Sequence, residues 1–70
     1  MLSVESCEKI LRAGANLKIE GLSAESCTHL AKIAKATGTK LEVKASLSAA
    51  AFTQIAEAGG GNVTIDLTRS

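Results

Sequence analysis

No tryptophan, tyrosine or proline occurs in these 70 residues, and there is one phenylalanine and one histidine. The missing aromatics remove the stacking platforms that hold single-stranded nucleic acid and the bulky anchors that dominate most protein interfaces. Charge of one sign is missing as well: eight Lys and Arg against seven Asp and Glu leave a net charge of +1, with neither sign gathered into a block. Such a balance gives little electrostatic pull toward nucleic acid or an anionic membrane, and neither is expected as a partner. The longest apolar run, Ala49 to Phe52, falls far short of a bilayer span, and no basic segment followed by a hydrophobic stretch opens the chain. Two cysteines, Cys7 and Cys27, are too few for a secreted disulfide framework and form no Cys-x-x-Cys pair, which points to a reducing compartment. A soluble, cytoplasmic protein is the expectation.

What is present is an ordinary globular balance, 46% apolar and 21% charged. Twelve of the apolar residues are alanines, which leaves 18 large side chains and the two cysteines to fill a core. A chain this short buries only about 60% of its unfolded surface, so a core this light gains from association with a partner.

The chain repeats itself three times. Leu2-Ser3-Val4-Glu5-Ser6-Cys7 returns as Leu22-Ser23-Ala24-Glu25-Ser26-Cys27 and, more loosely, as Leu47-Ser48-Ala49-Ala50-Ala51-Phe52. Each copy ends in an alternating segment: Leu17 to Glu20, Leu41 to Lys44 and Val63 to Asp66. One domain of three units, 2–21, 22–46 and 47–67, follows.

The first half of each unit reads as an amphipathic helix. The apolar stripes are Val4, Cys7, Ile10, Leu11 and Gly14; then Ala24, Cys27, Leu30, Ala31, Ile33 and Ala34; then Ala49, Phe52, Ile55, Ala56 and Gly59. Ser3, Ser23 and Ser48 stand where N-cap hydroxyls belong, and Gly14, Gly38 and Gly59 where helices stop. The second half alternates with period two, with Leu17, Ile19, Leu41, Val43, Ala45, Val63, Ile65 and Leu67 facing inward. Helices alternating with strands predict an α/β fold with a parallel sheet. Strands with one wet face further predict order 1-2-3 with all helices on one side. Aligned units place Lys18, Glu42 and Thr64 in one row of the open face and Glu20, Lys44 and Asp66 in another. Neighbouring charges in both rows are opposite, which supports the register.

The units resemble a short α/β solenoid, distantly similar to a leucine-rich repeat: each contributes one strand and one helix to a single-sided stack from Leu2 to Leu67. The Asn or Cys that follows the strand leucines in that family is missing, with Gly21, Ala45-Ser46 and Thr68 in its place. The resemblance implies no functional residues, only that such stacks present the open face of the sheet to a protein partner.

Cys7, Cys27 and Phe52 are equivalent, so the thiols read as core. His29 reads as a surface residue within reach of Glu25, with no Cys, Asp or second His on its face to build a metal site. Gly59-Gly60-Gly61-Asn62 follows a helix and opens a strand, the reverse of a phosphate loop. No catalytic constellation, metal or cofactor is expected. The leading expectation is a non-enzymatic protein-interaction or self-assembling module. It would act through its sheet edges and open polar face, at Val63, Thr64, Ile65, Asp66, Lys18, Glu20, Glu42 and Lys44. The edges lack proline and strand 3 carries only Asp66 as a charge, so a homodimer with strand 3 antiparallel to its own copy is favoured. The alternative is a small binding module for an anionic metabolite at the helix N-termini around Ser23 and Ser48. With no atypical capping unit, the residues also read as a possible excerpt of a longer array.

Overall fold

Three serines start three helices in the same way. In the computed structural model, which describes residues 3–68, Ser3 and Ser23 share the dihedrals φ −69°, ψ 162°, and Ser48 differs by only a few degrees. Their hydroxyl oxygens accept from the backbone N–H of Ser6, Ser26 and Ala51 at 3.1, 3.2 and 3.1 Å. Each bond satisfies one of the orphan amides of a first turn. The helices are α1 (Val4–Arg12), α2 (Ala24–Thr37) and α3 (Ala49–Gly59). They alternate with strands β1 (Leu17–Glu20), β2 (Leu41–Lys44) and β3 (Val63–Asp66), the last entered through a 3₁₀ turn at Gly60–Asn62. Leu2, the expected start of the first unit, lies outside the described residues.

The sheet is parallel in the order β1-β2-β3. Its register sets Lys18 beside Glu42 and Glu42 beside Thr64, then Glu20 beside Lys44 and Lys44 beside Asp66, so both rows expected from the repeat exist. The helices pack side by side, α1 on α2 and α2 on α3, over the apolar face of the sheet. The core belongs mostly to the middle unit. Cys27, Leu30, Ala31, Ala34 and Val43 are fully buried, joined by Leu11 from the first unit and Ile55 from the third.

The flanking units depart from the expected stripes. Gly14 is exposed because α1 ends at Arg12 and Gly14 lies in the turn beyond it, and Ala49 and Ala56 are exposed rather than inward because α3 has a neighbouring helix on one side only. Leu67, expected to face inward, is 73% exposed, since β3 ends at Asp66 and the chain then leaves the sheet. Gly59 does not stop α3 but is its last residue, and Gly60, at φ 58°, reverses the backbone. A Cβ on Gly59 would run into Val63 Cγ2 and lie 3.2 Å from Ala31 Cβ, so the absent side chain is what lets α3, α2 and β3 meet there.

Two asparagines stitch the lower rim of the sheet. Asn16 Oδ1 accepts from Lys40 N–H at 2.9 Å, and Asn62 Nδ2 donates to Thr39 C=O at 2.7 Å. Both stand immediately before an outer strand and tie it to the loop that leads into β2. The same loop is closed by the buried Thr39, whose hydroxyl pairs with that of Thr37 at 2.8 Å.

Candidate functional site

Among the described residues, the free surfaces include two sheet edges, one sheet face, a crevice beside β1 and a cleft. Which backbone groups each edge offers follows from the ladder. Leu17 and Gly21 donate their N–H groups to Lys40 and Lys44 C=O at 3.0 Å. In a parallel pair the N–H and C=O of one residue face one neighbour and those of the next residue face the other side. Leu17 and Ile19 therefore bond β2, and Lys18 and Glu20 turn their backbone groups to the free edge of β1. On β2, Glu42 and Lys44 face β1, while Leu41 and Val43 face β3. Thr64 and Asp66 consequently bond β2. By the same alternation the C=O of Val63 and the N–H and C=O of Ile65 face outward from β3.

The two edges thus differ in the side chains that accompany their free backbone. Those of β1 belong to charged, exposed residues, which discourage pairing. Those of β3 belong to the apolar, half-buried Val63 and Ile65, with the exposed Leu67 just past the strand's end.

The helix layer repeats this contrast. Leu11, Ala31 and Ala56 are equivalent positions. Leu11 and Ala31 are fully buried, and Ala31 lies against α3 at Gly59. Ala56 is exposed on the flank where a fourth helix would pack, together with Ala49. On the outer flank of α1 the exposed residues are Glu5 and Lys9. Between α1 and β1 runs an apolar crevice of about 300 Å³ lined by Cys7, Ile10, Leu17, Ile19 and Leu22, with Lys18 and Glu20 at its rim.

On the open face, Lys18 Nζ and Glu42 Oε2 are 4.0 Å apart. Asp66 is held differently: Thr68 donates both its hydroxyl, at 2.6 Å, and its N–H, at 2.8 Å, to Asp66 Oδ1. Those bonds, aided by the positive charges of Lys44 and Lys18, hold the Asp66 carboxyl below its ordinary range.

The cleft, about 690 Å³, sits at the C-terminal ends of the strands and is lined by Glu20, Lys44, Ser46, Phe52, Asp66 and Leu67 among others. Phe52 is half-buried on its wall rather than in the core, so the position it shares with Cys7 and Cys27 is interior only in the first two units. Two carboxylates against one ammonium make this cleft a poor receptor for an anion. Ser23 and Ser48, the alternative anion ligands, are occupied as caps, and Ser23 also donates to Ser26 Oγ at 3.1 Å.

The remaining candidates take structural places. Cys7 and Cys27 are buried free thiols, and burial pushes the Cys27 thiol pKa up. His29 Nε2 meets Glu8 Oε1 at 2.8 Å across α1 and α2, not Glu25 as expected. Glu8 also takes Arg12 Nε at 3.0 Å, and these two partners, His29 first, hold its carboxyl below the ordinary value. The signal for this contact lay in the repeat: Glu8 and Thr28 are equivalent, on the flank that meets the next helix. Among the described residues, no three His, Cys, Asp or Glu side chains gather to hold a metal, and no helix is long and apolar enough to cross a membrane. No protein-family model, curated protein or solved structure matches this chain, so its likeness to leucine-rich repeats rests on the helix-strand unit alone.

Proposed function

We propose that this chain is a non-enzymatic interaction module that assembles with copies of itself through its sheet edges and keeps its polar sheet face open to further protein. The observation that carries this reading is the free edge of β3, where outward backbone groups accompany Val63 and Ile65, with the exposed Leu67 just past the strand's end. An unpaired row of N–H and C=O groups next to apolar side chains is a template for another strand, and proteins that remain alone usually blunt it with lysine, proline, a bulge or a covering loop. Among the described residues, none of these devices stands on β3. The core gives a second reason. Unit three contributes Ile55 and Gly59 as its buried helix residues, and its remaining apolar side chains stay partly in water until something covers them.

The open face suits a different role. Its charges alternate in sign along both rows, so it offers pairs of hydrogen-bonding groups rather than a charged patch. That arrangement suits a polar protein surface better than a nucleic acid. Sedimentation velocity over a hundredfold range of concentration tests the assembly reading. A weight-average mass that rises above 7.1 kDa with concentration is expected; a constant 7.1 kDa contradicts it.

A further inference from the structure

We infer that the β1 edge and the crevice beside it form a docking site for an extended segment of another protein, in which apolar residues alternate with one acidic and then one basic residue. The segment adds to the sheet in parallel outside β1, with its acid beside Lys18, its base beside Glu20 and its apolar side chains in the crevice. The inference concerns the edge that association through β3 leaves free, and it stands or falls apart from that association.

Two features meet at this edge. The backbone N–H and C=O of Lys18 and of Glu20 face outward, because Leu17 and Ile19 use theirs on β2. A residue placed outside Ile19 would donate its N–H to Lys18 C=O and accept from Glu20 N–H, repeating the way Ile19 sits between Glu42 and Lys44. Its side chain then falls on the helix side, where Cys7, Ile10 and Leu22 line the crevice. Lys18 and Glu20, from the opposite face of the strand, line it as well, so the crevice opens at the edge itself. Its volume is about 300 Å³, and a cavity of about 150 Å³ holds one benzene-sized group, so two apolar side chains fit. Free main-chain groups beside pockets for alternate side chains are what recognition by strand addition requires.

Charge selects the occupant. Within the sheet Lys18 stands beside Glu42, and Lys44 stands between Glu20 and Asp66. The same alternation carried one strand outward calls for an acid beside Lys18 and a base beside Glu20. β2, with Leu41, Glu42, Val43 and Lys44, already holds the inner edge of β1 with this pattern. The charges that refuse an uncharged or like-charged strand therefore admit a complementary one. The free strand of a second copy does not qualify, since β3 in the continuing register would set Asp66 beside Glu20. The β1 strand of a second copy carries both charges but arrives with its own α1, whose outer flank is Glu5 and Lys9, so a charged helix would face the crevice. A segment without a helix of its own keeps its apolar face free to fill it.

Synthetic peptides with blocked termini test this on the unaltered chain. Val-Glu-Val-Lys-Val is expected to bind at least about threefold tighter than Val-Lys-Val-Glu-Val, which has the same composition but sets like charges together. Serine in place of the central valine should weaken binding by about threefold or more, because the apolar contact with the crevice is lost. Amide exchange followed by NMR locates the site: the Lys18 and Glu20 N–H groups should gain protection with the peptide, and that of Ile65 should not. The double variant Lys18→Glu, Glu42→Lys keeps an opposite pair inside the sheet, so circular dichroism should be unchanged, and Val-Lys-Val-Lys-Val should become the tightest binder. Absence of binding at about 1 mM, equal binding of the two charge orders, or an unchanged preference in the variant would overturn the proposal. Protection of Ile65 in place of Lys18 and Glu20 would do the same. Protection of Lys18 and Glu20 on raising the protein concentration without peptide would name a second copy as the occupant and overturn it as well.

Discussion

The first and third units are built from the same sequence pattern and present opposite outer surfaces. Unit one ends in charge around an apolar crevice: Glu5 and Lys9 line the outer flank of α1, Lys18 and Glu20 carry the free backbone of β1, and Cys7, Ile10 and Leu22 line the crevice between α1 and β1. Unit three ends in small and apolar residues: Ala49 and Ala56 on α3, Val63 and Ile65 on β3, and Leu67 just past it. Part of this difference follows from parallel geometry. The register that turns Leu17 and Ile19 toward β2 leaves the open-face residues of β1 at its edge, and the helix-side residues of β3 at the other. A free edge is where a neighbouring strand is missing, and charged side chains there discourage pairing whereas apolar ones do not.

The sharpest way to break the comparison is at equivalent helix positions. Leu11→Ala should cost about 2–5 kcal/mol, because Leu11 is fully buried and a cavity would remain. Ala56→Leu, at the matching place on α3, should change the stability of the single chain by less than about 0.5 kcal/mol, measured by urea denaturation at low concentration. A large loss at Ala56 would mean that this flank is already covered.

A second contrast uses proline at the two edges. Thr64 N–H bonds β2, so Thr64→Pro should cost about 1–3 kcal/mol by leaving a ladder carbonyl unpaired. Lys18 N–H faces outward, so Lys18→Pro should be tolerated within about 1 kcal/mol. Equal losses in thermal or urea unfolding would contradict the assignment of outward amides.

The charge rows give a smaller effect. Lys44→Glu would line up Glu20, the new carboxylate and Asp66, and should cost up to about 1 kcal/mol more than Lys44→Gln. The difference should shrink at high salt, since these groups are in contact with water.

Smallest is the pH dependence of the link between α1 and α2. His29 and Arg12 hold the Glu8 carboxyl below its usual 4.5, so the folded state binds that proton less readily than the unfolded one. The stabilisation is therefore present above pH 4.5 and is lost as the pH falls through the folded value. Glu8→Gln should flatten the acid limb of a stability profile measured below pH 5 and leave the neutral region nearly unchanged, which urea midpoints at several pH values would show.

Much of this architecture was legible because three copies of one pattern constrain each other. Ser3, Ser23 and Ser48 located the helix starts, and alternation in the strands located the wet face. The pairing of Lys18 with Glu42 and of Lys44 with Asp66 followed once equivalent residues were set side by side. What escaped was everything that depends on a unit's position in the stack. A hydrophobic stripe says which residues can be buried, not whether a neighbour exists to bury them, so Ala56 and Ala31 looked alike and ended differently. Leu67 fitted the strand alternation, yet the Asp66 to Thr68 turn closes the strand before it. The asparagine links were missed because Asn16 and Asn62 precede their strands, while the comparison with leucine-rich repeats directed attention to the residues that follow them.

Amide hydrogen exchange at the two edges, followed by NMR at high and low protein concentration, addresses the difference between the ends most directly. The Ile65 amide should be protected at high concentration and lose that protection on dilution, while those of Lys18 and Glu20 exchange rapidly at both. Rapid exchange of Ile65 at high concentration, or concentration-dependent protection of Lys18 and Glu20 instead, would contradict the account.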